Sequence, residues 1–450
     1  MGRWGVAAWA ALACVALSGC EQVELTQDRF RDLTPYEAYQ ESLTEAGLGD
    51  TALGRDWLTA GRNALDEAVH VSLPFEERGF ITVEDPGAQA YRITIARGQK
   101  LTVSVSMTSE EESRLFIDLF RIPSDESDRL RPVVSLDSLP GDFVHEPWRG
   151  GDYLLRLQPE LLRGGQYHVS LRLDAQLAFP VEGHGMRSIL SLFGVARDGG
   201  RRSHAGVDIF APRGTPVLAT SAGTINRVDV TGLGGKVVWL RDPVRNANIY
   251  FAHLDSQYVS NGDRVEAGDT VGFIGNTGNA ITTPPHLHFG VYRRGEGAVD
   301  PYPFLQQPSG TLAELTADVD DLGEWVRVQT DGIRMRDAPS GNGTVLRELG
   351  EHTPARVLGA SGAYYRVRLP DGAAGYVAAR LTESMSEPVA AQRVATPGPL
   401  RTAPTPGAPE VARVASGTDV PVLGRFGTFL LIEAPDGARG WIAEAVAQQD

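Results

Sequence analysis

Residues 284–292 read PPHLHFGVY. The stretch mixes histidine with β-branched and aromatic residues and is bounded by Pro and Gly, which predicts a short strand. Side chains on one face of a strand repeat every two residues. His286 and His288 therefore share a face, and a chain with nine histidines places two of them side by side.

A second stretch, residues 203–219, reads SHAGVDIFAPRGTPVLA and has the same strand-like composition. His204 and Asp208 are four residues apart, so they too are predicted to share a strand face. If the two strands pair in antiparallel fashion, three imidazoles and one carboxylate meet at one point. Nitrogen and oxygen donors, three from protein with one position left for water, form the ligand set of a catalytic zinc site.

The composition and the absence of two motifs exclude other classes of protein. The 450 residues are 42% hydrophobic, enough for several domains. The formal net charge of −15 leaves no basic excess to displace counterions from a polyanion, so we expect no nucleic-acid partner. The HExxH zinc motif is missing, and so is a GxSxG nucleophile turn with a suitable order of His and Asp.

Residues of about 182 to 305 resemble the lysostaphin/LytM-type zinc metallopeptidases. Four motifs in order carry the resemblance: FGVARDGGRRSHAGVDIFAPRGTPVLATSAGTI, IYFAHLD, VSNGDRVEAGDTVGFIGNTGNA and PPHLHFGVY. The resemblance implies a duplicated-hybrid-motif β-sheet domain. It implies zinc ligands at His204, Asp208 and His288, and catalytic histidines at His253 and His286. Which of the last two is the general base stays open.

The glycines of the TGLGGK stretch, together with the GNTGNAITTPP loop, are predicted to frame the substrate groove. Gly232, Gly234 and Gly235 have no Cβ atoms, so they would give the groove a floor that admits an extended peptide with small side chains.

The first residues, MGRWGVAAWAALACVALSGC, have an early arginine and an apolar run too short to cross a membrane. Their end, Leu17 to Cys20, resembles the bacterial lipobox. We therefore expect a signal peptide over residues 1–19, a lipid on Cys20, and an exported protein held at the cell envelope. Glu21 favours the outer over the inner membrane where a cell has both. An ordinary secretory signal is the alternative.

The predicted fold class is mainly β and multidomain. After an anchor linker and helical hairpin (20–70) come a β-sandwich accessory domain (71–175) and the peptidase domain (176–310). A repeat follows, in which motifs such as PDGxxG recur 65 residues later. The repeat resembles the bacterial SH3 domain, a small β-barrel, and predicts two units at 323–384 and 390–450. The likeness is stronger in the first unit.

The resemblances together imply a zinc endopeptidase that hydrolyses peptide cross-links of peptidoglycan. It would be anchored to the membrane through the lipid on Cys20 and held on the wall by the SH3 units. One alternative is a non-catalytic regulator that activates cell-wall amidases through a protein partner. Another is an endopeptidase that acts on proteins. The complete ligand set favours the enzyme over the regulator, and the SH3 units argue weakly against a protein substrate.

Overall fold

A computed structural model describes residues 33–83, 86–125 and 128–447. The predicted signal peptide and Cys20 lie outside the described residues. Among the residues described, no helix is both long and apolar enough to span a membrane.

The described chain opens with the predicted helical hairpin, α1 (Pro35–Glu45) and α2 (Ala52–Asp66). Thr34 caps α1: its hydroxyl accepts from the amide of Glu37, and the Glu37 carboxylate accepts from the amide of Thr34. Tyr36 and Trp57 stack at 5.2 Å and pack against Phe116 of the following domain, so the hairpin rests on that domain.

Two facing sheets follow and enclose one apolar core. Their strand orders are β1-β3-β8-β5-β6 and β7-β4-β9-β2. The strands are β1 (Val69–His70), β2 (Phe75–Ile81), β3 (Gln89–Ile95), β4 (Gln99–Thr108), β5 (Leu115–Arg121), β6 (Arg131–Leu136), β7 (Phe143–His145), β8 (Gly151–Pro159) and β9 (Gly165–Ala175). Alternate side chains of β3 and β4 are buried between the sheets, which is the pattern that the two-residue period predicted. Strand β8 is buried on both faces, because Arg156 and Gln158 on its outer face contact the helical hairpin.

The next part contains an eight-stranded antiparallel sheet of order β10-β13-β21-β17-β16-β15-β19, with β22 on β21, and a small sheet β14-β20-β18. Its elements are β10 (Ile189–Ser191), β11 (Ala196–Arg197), β12 (Arg202–Ser203), β13 (Val207–Phe210), β14 (Pro216–Leu218), β15 (Gly223–Thr231), β16 (Gly235–Asp242), β17 (Ala247–Leu254), β18 (Ser256–Gln257), β19 (Arg264–Val265), β20 (Thr270–Phe273), β21 (His286–Arg293), β22 (Gly297–Val299) and α3 (Tyr302–Leu305). One face of the large sheet covers the apolar core, to which Ile209, Leu240, Ile249 and Phe289 contribute fully buried side chains. The polar side chains of interest therefore lie on the other face.

Two small β units complete the chain. The first has β23 (Trp325–Val328), β24 (Ile333–Arg336), β25 (Val345–Leu349), β26 (Pro354–Ser361), β27 (Tyr364–Arg368), β28 (Ala374–Ala378) and β29 (Thr382–Ser384). The second has β30 (Ala390–Arg393), β31 (Gly398–Arg401), β32 (Glu410–Val414), β33 (Asp419–Phe426), β34 (Phe429–Glu433), β35 (Arg439–Ala443) and α4 (Glu444–Ala447). Each encloses a separate apolar core.

The first unit is fused to the sandwich, which the sequence did not indicate. Strand β26 pairs with β2, so that one sheet runs through both domains. At the junction Glu77 is fully buried beside the guanidinium of Arg366 and accepts hydrogen bonds from the hydroxyls of Tyr91, Tyr167 and Tyr376. Because a buried carboxylate is costly unless it is paired and hydrogen-bonded, this network fixes one arrangement of the two domains.

Candidate metal centre

The centre lies where β13 and β21 pair, toward the β10 edge of the large sheet. Asp208 stands opposite His288, and Phe210 stands opposite His286. On its other edge β21 pairs with β17, which places Ala252 opposite His288. The predicted strand over the HLHFGVY segment is thus present, and it carries both histidines on the face away from the core.

The predicted strand position of His204 is wrong. Strand β13 begins only at Val207, and His204 lies in the turn that follows β12. It reaches Asp208 because Gly206 lets that turn press onto β21: a Cβ on Gly206 would lie 2.3 Å from the carbonyl oxygen of Phe289 and 2.9 Å from Cε1 of His288. His204 is therefore brought to Asp208 by the close packing of this turn against β21, and not by a position on the same strand face.

Three donor atoms converge at this point. Nε2 of His204 lies 2.9 Å from Oδ1 of Asp208 and 2.9 Å from Nδ1 of His288, and the last two atoms are 3.0 Å apart. His204 and Asp208 are buried, and the His288 side chain is 14% exposed. In the part of the chain that the structure describes, this is the only group of three or more potential ligands with donor atoms within 4.8 Å of one another.

The protonation of these groups suits a cation. Nδ1 of His204 donates to the carbonyl oxygen of Leu192 over 2.8 Å, so the ring in its neutral form would offer the lone pair of Nε2 to the centre. Burial opposes ionisation of the Asp208 carboxyl, but the neighbouring imidazoles of His204 and His288 outweigh it and hold the pKa of that carboxyl well below its usual range. Burial likewise lowers the pKa of His288.

Two further imidazoles flank the three donors. The ring of His253 lies 5.1 Å from that of His286 and 5.9 Å from that of His288, centroid to centroid. Nδ1 of His253 donates to the carbonyl oxygen of Thr277, and Nδ1 of His286 donates to that of Pro284, both over 2.9 Å. In its neutral form each ring therefore keeps its free lone pair on Nε2. Burial lowers the pKa of His253 to about 4, so it is neutral at pH 7.

The glycine prediction needs correction at two of its three positions. A Cβ on Gly234 would lie 2.1 Å from the Tyr250 hydroxyl, and one on Gly235 would lie 2.2 Å from Oγ1 of Thr277. These glycines are buried and let the 231–235 turn pack against its neighbours. They do not form an open floor. Gly232 alone is exposed, with free space around its Cβ position.

Arg197 is a neighbour of the centre that sequence reasoning missed. Its Nη2 donates to Oδ2 of Asp208 over 2.6 Å and to Oγ of Ser191 over 2.5 Å. Asp208 thus turns Oδ1 toward the two imidazoles and Oδ2 toward the guanidinium, so Arg197 orients a candidate ligand from behind. An arginine at the end of a two-residue strand, with two more arginines shortly after it, gives no sequence signal for this role.

The donor set fits zinc. Zinc takes nitrogen and oxygen ligands at about 2.0–2.2 Å in tetrahedral geometry, which sets donors roughly 3.3 Å apart. The three donors are already within a few tenths of an ångström of that spacing. A carboxylate and two imidazoles on one point, with two more imidazoles beside them, define the class of site found in metal-dependent hydrolases.

Comparison with known proteins agrees with this class. Residues 202–301 match the profile of Peptidase family M23, and residues 397–447 match that of the bacterial SH3 domain. The chain therefore contains a peptidase M23 domain and a bacterial SH3 domain, which confirms the lysostaphin/LytM resemblance. The SH3 match falls on the second unit, for which we expected the weaker likeness.

Individual relatives cover only part of the chain. The L-Ala–D-Glu endopeptidase of Bacillus subtilis is 39% identical over 140 residues, which are 29% of this chain and 43% of that protein. The peptidoglycan DD-endopeptidase ShyC of Vibrio cholerae is 35% identical over 91 residues, 20% of each. The lysostaphin catalytic domain of Staphylococcus simulans is 32% identical, with 29% of this chain and 90% of that chain covered and a TM-score of 0.23. The chain spans less than half the length of these two curated relatives.

Proposed function

We propose that the chain is a zinc-dependent endopeptidase that hydrolyses peptide cross-links of peptidoglycan. The observation that carries the proposal is the convergence of His204, Asp208 and His288 on one point with two further imidazoles beside it. Relatives named as a peptidoglycan DD-endopeptidase and an L-Ala–D-Glu endopeptidase support the substrate class.

His204, Asp208 and His288 would hold the zinc ion. When bound, zinc supplies an activated water and a positive charge for the carbonyl oxygen of the scissile bond. The protein's own contribution is to handle protons with His253 and His286. Since Nδ1 of each ring donates to a main-chain carbonyl, each ring can take up a proton only at Nε2, toward the site. One of the two rings would accept a proton at Nε2 from the attacking water, and the imidazolium so formed would donate that proton to the leaving amine.

The test uses the whole chain with Cys20→Ser, which removes the proposed lipid attachment site, incubated with sacculi. We expect the protein to release new amine termini from the sacculi. This release should stop when a chelator is added, and the His288→Ala variant should not produce it. His184→Ala serves as the matched control, because His184 is partly exposed, lies outside the group of three donors, and has its Nδ1 hydrogen-bonded to the carbonyl oxygen of Glu182. Absence of cleavage, together with stimulation of a wall amidase that survives His288→Ala, would instead establish the regulator.

The anchoring is a separate part of the proposal. The lipobox-like sequence supports a lipid on Cys20, which would hold the enzyme at the cell envelope, on the outer membrane where there are two. The SH3 domain supports retention on the wall, which raises the local concentration of cross-links. Metabolic labelling with a radioactive fatty acid tests the anchor: we expect label on the wild type and none on Cys20→Ser. Label retained on Cys20→Ser would rule this anchor out.

A further inference from the structure

The sheet face that carries the metal centre continues past it as an aromatic strip. Tyr250 stands opposite Gly290, and Trp239 stands opposite Tyr250, so their side chains share the face of His288. The ring of Tyr250 lies 5.8 Å from that of His288, and the ring of Trp239 lies 4.3 Å from that of Tyr250. All three side chains are partly exposed. The strip gives an extended chain a surface on which to lie.

The strip ends in a basic pocket. Tyr292 contacts Trp239 at 5.2 Å and lines a depression of about 490 Å³ together with Arg241, Arg293 and Arg294. The other lining residues are the asparagines Asn226, Asn246 and Asn248. The lining thus carries three guanidinium groups and no carboxylate, on a chain whose net charge is −15. Within the described part of the chain, neither Arg241 nor Arg294 forms an ion pair with an acidic side chain.

The accessory sandwich supports one wall of this pocket. The guanidinium of Arg293 lies 4.4 Å from the ring centroid of Trp148. Trp148 Nε1 and Arg293 Nη1 both donate to Oε1 of Glu296, over 3.0 and 2.9 Å. Arg97 of the sandwich adds a third contact to the same carboxylate. The turn between β21 and β22 is therefore fixed from outside the peptidase domain, which pre-organises the pocket.

We infer that this pocket is a distal substrate subsite that binds carboxylate groups of an acidic peptide. The inference rests on the proposed peptidase function. Guanidinium groups pair with carboxylates in a bidentate and charge-assisted way, and asparagine amides can bind the flanking peptide groups. The aromatic strip would carry the residues in between through apolar contact.

The spacing defines the register of the substrate. Tyr292 lies four residues beyond His288 along β21, and Arg241 lies two strands further across the sheet. With about 3.4 Å per residue and about 4.8 Å between strands, the pocket is roughly 14–17 Å from the metal centre. An extended peptide advances about 3.3–3.6 Å per residue. A carboxylate four or five residues from the scissile bond would therefore reach the pocket.

The test measures binding without cleavage. The Cys20→Ser chain, freed of metal by a chelator, is titrated calorimetrically with soluble peptide stems from sacculi and with the same stems after amidation of their carboxyl groups. The test variant is Arg241→Gln with Arg294→Gln. The matched control is Arg131→Gln with Arg163→Gln, which removes the same charge from the sandwich surface.

We expect the test variant to bind the unmodified stems at least about tenfold more weakly, as loss of a hydrogen bond to a charged group predicts. It should bind amidated stems as the wild type does, and the control should match the wild type throughout. Unchanged affinity, or an equal loss for both kinds of stem, overturns the inference. Selective binding without metal-dependent cleavage would remove only the proposed function, and cleavage without selective binding would remove only the subsite.

Discussion

Arg197→Met tests the metal centre without removing a donor atom. The Arg197 guanidinium lies 2.6 Å from Oδ2 of Asp208, and the two side chains are 32% and 10% exposed. Without it, Oδ2 is left nearly buried and unpaired, and the carboxylate is free to turn away from the imidazoles. A hydrogen bond to a charged group contributes about 1.5–3 kcal/mol, which partial exposure reduces to about 1–2 kcal/mol. We therefore expect zinc affinity to fall about tenfold, within the range known for partners of metal ligands.

The measurement is competition for zinc against a chromophoric chelator, with circular dichroism as the check on folding. Arg197→Lys should recover part of the affinity because it keeps the charge but lacks the planar fork. Arg187→Met is the control, since Arg187 is an exposed residue of the same segment. A folded Arg197→Met protein that binds zinc as tightly as the wild type would refute the view that Arg197 orients Asp208.

Three more results are expected. His286→Ala should keep zinc and lose turnover, because the ring handles protons without being needed as a ligand; a zinc assay showing metal loss would move His286 into the ligand set. Glu77→Leu should lower the free energy of unfolding in urea by about 3–5 kcal/mol, because it leaves Arg366 buried without its partner; an unchanged urea midpoint would contradict this. In metal-free protein, the folded state keeps His253 neutral down to a pKa of about 4, while the unfolded chain takes up the proton below about 6.5. Stability should therefore fall between pH 6.5 and 4, by up to about 1.4 kcal/mol per pH unit, and His253→Phe should flatten that slope in urea titrations.

Local sequence pattern predicted the elements that carry the site better than it predicted their contacts. The HLHFGVY segment is a strand because its β-branched and aromatic residues alternate with the two histidines. The same pattern wrongly predicted a strand position for His204, because a turn at Gly206 brings this residue to Asp208. The sequence pattern did not predict the contact of Arg197 with Asp208 at all. Such contacts depend on the packing of segments distant in sequence, which periodicity does not encode.

The junction between the sandwich and the first SH3-like unit was not predicted from the sequence, for a related reason. Along β2, Phe75, Glu77 and Ile81 alternate toward one face and all are buried. From the sequence alone, a glutamate in that series is expected to lie at the surface. Its partner Arg366 is 289 residues away along the chain, so the local pattern does not reveal the pairing. Repeat analysis found the first SH3-like unit as a separate module, yet its central strand belongs to the sheet of the sandwich.

The repeat also contains a Leu-Gly pair, Leu358-Gly359 in the first unit and Leu423-Gly424 in the second, and this pair gives the two small units a common way to attach. A Cβ on Gly359 would lie 2.9 Å from Cδ of Glu77 in the sandwich, and one on Gly424 would lie 2.5 Å from Cγ of Pro354 in the first unit. Each unit thus receives the module before it at the same position of its barrel, where only glycine leaves room. The consequence is a fixed series of sandwich, first unit and second unit. Modules in a fixed series gain from multivalency only if the distance between their binding sites matches the distance between the bound wall segment and the substrate. A flexible linker could adjust that distance, and a fixed series cannot.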